Sequence, residues 1–391
     1  MGEKNLKLLL ATAADVTQGR GDSTHVLEIY RCLQETVDVT LLHRGEIGIV
    51  AGRMESGTEA RSVRNLFKMV TYHALVAARI LAIAENDTVV YCRDWSVALV
   101  AGLLKGVRGF RVIYEANSLV SLEMSLTVGR NLSGPFAVLQ EIAFVISDAI
   151  VAVTARLAES IKASLDGRSP RIVVIPNAGD ANFEPLPKKE ARMRLGLREG
   201  SQIVGFVGNL GPWQGLNLLV RAFAILRTLL PNAELIIVGE GPEYSKLESL
   251  VNQFGLEREV RLVGNVPHST ALEYVCAFDV GTIPYERSEL YEAVGRSPIK
   301  AYEYMTCSCP IVAGSYPDLS EEIIQARCGI VVPPDDAPAL AKAIAGLLED
   351  KHRASQIGRA GREYVVSERS WSNAASRIKA LCEEMVGGKG A

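Results

Sequence analysis

The chain has 391 residues, 48% of them hydrophobic and 22% charged, with a formal net charge of -3 at neutral pH. It is too long for one ordinary α/β domain and right for two, and its charge excludes a general nucleic-acid binder held by positive potential. Seven scattered cysteines (Cys32, Cys92, Cys276, Cys307, Cys309, Cys328 and Cys382) read as reduced, mostly buried thiols of a cytoplasmic protein.

In chain order, the opening MGEKNLKLLLATAADV has only a brief apolar run, which suits a first strand better than a signal peptide. Runs rich in β-formers follow at 6–11, 37–42, 88–92, 110–115, 149–153 and 171–176, with helical patterns such as STHVLEIYRCLQE and NLFKMVTYHALVAARILAIAE between most of them. Strands alternating with helices imply a parallel, doubly wound sheet. The most apolar stretch, FAVLQEIAFVISDAIVAVTA, is broken by Gln140, Glu141 and Asp148, so it reads as a helix and then a strand, not a bilayer span. Between Arg53 and Arg79, basic residues lie beside Leu66, Phe67, Met69 and Val70. That face has two readings, a solvated helix or a peripheral contact with anionic lipid.

PNAGDANFEPLPKKE (176–190) holds three prolines and reads as a linker. The alternation then restarts at 202–208, 233–239, 259–264, 279–284, 309–314 and 329–333. Two Rossmann-like sheets in tandem are therefore expected, as α/β domains over 1–180 and 201–370. The linker is 181–200, and a last helix over 371–391 packs back on the first domain. Ligands of such sheets bind at the carboxyl ends of the strands, so the cleft where those ends face each other is the expected site.

Three consecutive strands of the second half end in glycine turns: VGNLGPWQG with Gly208, Gly211 and Gly215, VGEGPEY with Gly239 and Gly241, and VGNVPHS with Gly264. Each is either a tight strand-to-helix turn or a place where backbone approaches a phosphate. After the fourth strand comes GRSPIKAYEYM. Ser297 is expected as N-cap and Pro298 as first helical residue, with Ile299 following. Lys300 then lies in the first turn, where the helix dipole disfavours a cation unless an anion is present. Glu303 is one turn on, able to accept from a sugar hydroxyl. The alternative is a Lys–Glu pair on a solvated helix face. In the first half, Gly19, Gly21 and Asp22 sit in the loop after the first strand, and Glu115 and Asn117 end IYEANS. None of the five histidines suggests a catalytic role. No Asp-x-Asp is present to hold a metal on a diphosphate, the CxC of Cys307 and Cys309 has no second pair to complete a zinc site, and neither a GxSxG elbow nor a Walker A lysine occurs.

Taken together, these motifs resemble the GT-B glycosyltransferases of the large retaining family 4, nearly end to end. AIVAVTARLAESI with IVVIPNAGDANF, then VGNLGPWQGLNLLVRAF, IIVGEGPEYSKL, VRLVGNV, DVGTIP, SPIKAYEYMTCSCPIVA and GIVVPPDD, follow in the family's order, and Trp371 resembles its late tryptophan. The resemblance implies a nucleoside-diphosphate sugar bound by the second domain and a glycan or lipid-linked acceptor approaching through the first, as in cell-surface polysaccharide or glycoconjugate synthesis. It implies that Glu303, the second glutamate of the E-x7-E motif, holds the ribose. The first glutamate falls at Gly295, and the family's diphosphate-binding Arg and Lys fall at Asn209 and Gln214. Arg296 and Lys300 are the substitutes for that pair, and no metal cofactor is expected. A GT-B protein impaired in catalysis, binding nucleotide or glycan as a complex subunit, is the alternative. A GT-B epimerase is a third reading, but no acid/base pair is evident for it.

Overall fold

A computed structural model of the protein describes residues 6–16, 21–45, 59–122, 130–168 and 170–387, with the side-chain environments of 21–22, 59–68, 130–133 and 290 left out. The chain divides into two compact units, Met1–Pro176 with Ser372–Ala391, and Asn177–Trp371.

The first unit carries β1 (Lys7–Ala11), β2 (Asp38–Leu42), β3 (Thr88–Cys92), β4 (Arg111–Ala116), β5 (Ala149–Ala152) and β6 (Arg171–Val174) in one parallel sheet, ordered β2-β1-β3-β4-β5-β6. Helices α1 (Gly21–Gln34), α2 (Glu59–Ile83), α3 (Trp95–Arg108), α4 (Arg130–Ile146) and α5 (Ala155–Ser164) lie between the strands. TVVYC and AIVA are buried along their whole length, as parallel strands covered on both faces must be. The Thr154 hydroxyl accepts from the Leu157 N–H and so starts α5.

The second unit repeats the plan. Its sheet is ordered β12-β11-β10-β7-β8-β9, with β7 (Gln202–Val207), β8 (Ala233–Val238), β9 (Val260–Gly264), β10 (Val280–Ile283), β11 (Ile311–Gly314) and β12 (Gly329–Val332). Its helices are α6 (Lys188–Arg194), α7 (Leu216–Leu229), α8 (Tyr244–Gln253), α9 (His268–Ala277), α10 (Glu289–Val294), α11 (Ile299–Thr306), α12 (Leu319–Ala326), α13 (Ala337–Glu349) and α14 (Lys351–Ser367). Phe206, Phe223, Leu235, Ile237 and Ile344 belong to one buried cluster beneath α7 and α13. The chain closes with α15 (Trp371–Gly387), where Arg377 donates to the Val174 carbonyl and Glu384 pairs with Arg171 of β6.

All twelve expected runs are strands, with ends within two residues of those read from the sequence. The proline-rich stretch is held to the second unit, since the Arg362 guanidinium donates to the carbonyls of Asp180, Ala181 and Phe183. Among the described residues no helix is long and apolar enough to cross a membrane. Of the basic and apolar face suggested for residues 53–79, Met69 and Val70 are exposed. Arg53 and the side chains of 59–68 lie outside the described residues.

Candidate functional site

The three glycine turns at the carboxyl ends of β7, β8 and β9 form one packed ledge. The Gly208 N–H donates to the Val238 carbonyl at 3.0 Å and the Gly239 N–H to the Gly264 carbonyl at 2.8 Å. Gly208 and Gly239 have φ of 138° and 135°, values that L side chains rarely adopt. A Cβ on Gly239 would stand 2.0 Å from the Gly208 carbonyl oxygen, and one on Gly241 2.6 Å from the Leu210 backbone. At Gly239 and Gly241 glycine is a requirement of close packing between turns.

Lys300 points into this ledge. It is buried, and its Nζ donates to the Gln214 Oε1 at 2.8 Å and sits 3.8 Å from the centroid of the Phe206 ring. A Cβ on Gly208 would lie 3.0 Å from that Nζ, so glycine at 208 also leaves room for the ammonium. Burial pushes the Lys300 pKa well below the usual lysine range; the Arg296 guanidinium adds to this, and Glu303 opposes it. Arg296 is fixed differently. Its guanidinium carbon lies 3.9 Å from the Tyr285 ring centroid and 3.6 Å from that of Tyr291. The charge of Arg296 thus acts on Lys300, whose hydrogen-bond partner is a neutral amide.

The start of α11 differs from expectation. The N-cap is Pro298 and the helix begins at Ile299, so Ser297 lies outside it. The Ser297 hydroxyl accepts from the Asn177 N–H at 3.1 Å and meets the Tyr302 hydroxyl at 3.0 Å, while the Asn177 amide donates to the Ser297 carbonyl. Standing one residue outside the N-cap, Ser297 ties Asn177 to the start of α11 and caps no helix N–H. An anion site is one of the two readings of the Gly208–Gly215 turn, and the start of α7 there has the Glu286 carboxylate near it, with the Leu218 N–H acting to lower that carboxyl's pKa. A carboxylate at a helix N-terminus satisfies the dipole and leaves less for a ligand. Burial, then Asp335, raises the Glu286 pKa in turn. Asn209 is exposed, and Gly211 lies under the Trp213 ring. Gly295 has φ 66° and ψ -174°, a region open essentially to glycine, which is a physical reason for the missing first glutamate of the family motif.

Glu303 has a partner that sequence reasoning missed. The His268 Nε2 stands 2.8 Å from its Oε1. His268 opens α9 while Glu303 lies in α11, so nothing in their sequence spacing announced the pair. Among the described residues, no group of three or more His, Cys, Asp or Glu side chains is placed to hold a metal ion.

In the first unit, Glu115 at the end of β4 is buried, not an open edge carboxylate. It accepts from the Tyr91 hydroxyl at 2.6 Å and the Arg93 Nε at 3.2 Å, and meets the His25 Nε2 at 3.1 Å. Burial raises its pKa; His25, Arg93 and Tyr91 together outweigh that and hold it at about 2. Arg93 also reaches Asn117 at 3.4 Å. His25, Tyr91 and Arg93 were not singled out in the sequence. Their proximity to Glu115 arises from α1 and β3 meeting β4. Gly21 begins α1, the Asp22 side chain is not among those described, and Gly19 lies outside the described residues. Nearby, the Asp94 carboxylate accepts from the Thr12 hydroxyl at 2.8 Å and the Ala13 N–H at 2.6 Å, which pins the turn after β1.

The chain is similar to several known proteins. The family described as "Glycosyl transferases group 1" matches residues 187–364. The chain is 29% identical over 234 residues to a GDP-mannose-dependent α-(1-6)-phosphatidylinositol monomannoside mannosyltransferase of Mycolicibacterium smegmatis, a match covering 59% of this chain and 61% of that one. It is 28% identical over 316 residues to D-inositol 3-phosphate glycosyltransferase 1 of Catenulispora acidiphila, covering 77% of this chain and 73% of that one. The match to the mannosyltransferase thus spans less than two thirds of that protein's length. Sucrose-phosphate synthase from Thermosynechococcus elongatus superposes with a TM-score of 0.79 at 21% identity, over 98% of this chain and all of that one, a likeness of fold. The chain has the GT-B fold, and residues 187–364 of its second unit are similar to the glycosyl transferases of group 1.

Proposed function

We propose that the chain is a retaining glycosyltransferase of family 4 that moves a hexose from a nucleoside diphosphate to a glycan or lipid-linked acceptor, without a metal ion. The observation that supports this most is the buried Lys300 beside the Gly208 turn, bonded to the neutral Gln214 amide and subject to the charge of Arg296. A buried lysine that faces an arginine is disfavoured until a polyanion arrives, and a diphosphate has the required charge.

In this reading the second unit takes the donor. Its diphosphate meets Lys300, Arg296 and the Gly208 turn, and its ribose meets Glu303. The reaction breaks the bond between the anomeric carbon and a diphosphate oxygen, and negative charge grows on that oxygen. Two cations fixed beforehand stabilise this charge more in the transition state than in the ground state. The rest of the rate comes from positioning. Glu115, already engaged by three partners, holds Arg93 and His25 in place on the acceptor side and is not a free base. The mannosyltransferase relative depends on GDP-mannose, so GDP-mannose is the first donor to try and a lipid-linked sugar the first acceptor class.

The test is a thermal-shift screen with UDP, GDP, ADP and their sugars, in which a ligand at 100 times its Kd adds about 2.7 kcal/mol of stability. Transfer with the bound donor follows, with the anomer of the product assigned by NMR. Retention at the anomeric centre supports the reading. Tight binding without turnover would leave the nucleotide-binding subunit instead, and absence of binding to every nucleotide overturns both.

A further inference from the structure

We infer that His268 is the positioning residue of the nucleotide site. It holds the Glu303 carboxylate in the orientation that reads the ribose hydroxyls, and keeps it from turning onto Lys300. This rests on the donor reading above and extends it to a residue outside the family motif.

A glutamate side chain on a helix has several accessible rotamers, and a binding carboxylate is useful only if one of them is held. Glu303 is partly open, with 16% of its side chain exposed, enough to meet a ligand and enough to move. Lys300, three residues earlier on α11, is the natural attraction for it, because residues three apart on a helix are neighbours. Were they to pair, the carboxylate would neutralise the cation needed for the diphosphate and would itself be lost to the ribose. The structure shows another arrangement. Lys300 turns to Gln214, and Glu303 turns to His268 at 2.8 Å.

The direction of that bond follows from its chemistry. An ionised carboxylate only accepts, so the His268 Nε2 carries the hydrogen and donates. The bond engages Oε1, and Oε2 is left to accept from a ribose hydroxyl. The imidazole is itself fixed by its place. His268 is the first residue of α9, four residues after Gly264 ends β9, and α9 is fastened to α11 farther along. There the Cys307 thiol, at the end of α11, donates to the Leu272 carbonyl one turn into α9 at 3.8 Å. The two helices are thus linked at two points, Cys307 to Leu272 and Glu303 to His268.

The experiment uses the full chain and the tightest-binding of UDP, GDP and ADP, with its 2′-deoxy and 3′-deoxy analogues. Binding is measured for the parent protein, Glu303→Ala, His268→Ala and His268→Gln. The parent should bind the ribonucleotide about tenfold more tightly than at least one deoxy analogue, the scale of one charged hydrogen bond. Glu303→Ala should abolish that preference. His268→Ala should remove most of it while ligand-free thermal unfolding stays close to the parent's, and His268→Gln, which can still donate, should restore part of it. If His268→Ala weakens ribo and deoxy ligands equally, or keeps the full preference, His268 is structural and the inference fails while the donor site stands. If the parent binds no nucleoside diphosphate, the donor reading fails first and the inference with it.

Discussion

Lys300→Met keeps the length of the side chain and removes its charge, and two opposite effects should follow. In the free protein the ammonium is buried, with its pKa well below the usual lysine range. The unfolded chain therefore binds more protons than the folded one in the interval between the folded pKa and about 10.4. Stability rises with pH across that interval, and below it the full penalty of a buried charge is present. Methionine abolishes the penalty but gives up the bond to Gln214 and the contact with Phe206. The lowered pKa means that these two contacts do not repay the desolvation. Removing the buried charge gains back a desolvation cost of several kcal/mol, while the Gln214 oxygen left without its donor costs about 1–3 kcal/mol. For a net gain of about 1 kcal/mol the melting temperature of the ligand-free protein should rise by about 2–4 °C. Turnover should fall by about two to three orders of magnitude, as for loss of an oxyanion donor. Binding has its own pH signature. A diphosphate raises the pKa of Lys300, so the parent takes up protons on binding, and its affinity falls as pH rises through the free-protein pKa toward the bound one. Calorimetry in buffers of different ionisation enthalpy measures this uptake, which Lys300→Met should remove. A variant that melts several degrees lower, turns over normally and keeps the proton uptake would refute the assignment.

Other consequences are accessible to simpler assays. Gly208→Ala places a Cβ 3.0 Å from the Lys300 Nζ on a backbone with φ 138°, and should cost about 1–3 kcal/mol in chemical denaturation and weaken nucleotide binding. Glu115→Gln leaves Arg93 and His25 without their carboxylate, and should destabilise the protein by about 3–5 kcal/mol at pH 7. Because the folded Glu115 pKa of about 2 lies below the unfolded one, its contribution is present above about pH 4.3 and is lost as pH falls toward 2, so the difference between parent and variant in urea melts should shrink in acid. Transferase activity should be unchanged by EDTA, and a strict need for magnesium or manganese would contradict the cationic role of Lys300 and Arg296.

Much of this protein is local in its sequence. Twelve β-rich runs separated by helical patterns are enough to specify two parallel sheets, because a parallel strand buried on both faces must be a continuous apolar run and its crossover a helix. The glycine turns are legible for a similar reason: Gly208 and Gly239 occupy backbone conformations that other residues resist, so their identity carries the geometry. Lys300 declares itself by violating the charge preference of a helix start. What the sequence alone does not decide is which side chains meet across elements. Ser297 has the chemistry of an N-cap, yet Asn177, 120 positions away, takes its oxygen. The α7 start offers backbone N–H groups to an anion, yet Glu286, which follows β10, is near enough for the Leu218 N–H to lower its pKa. Glu303 with His268, and Glu115 with His25, Tyr91 and Arg93, are 22 to 90 residues apart in the chain. Propensity and periodicity act over a few residues, whereas a hydrogen bond between side chains depends on the register of packed elements to within a fraction of an ångström, and only the assembled sheets and helices set that register.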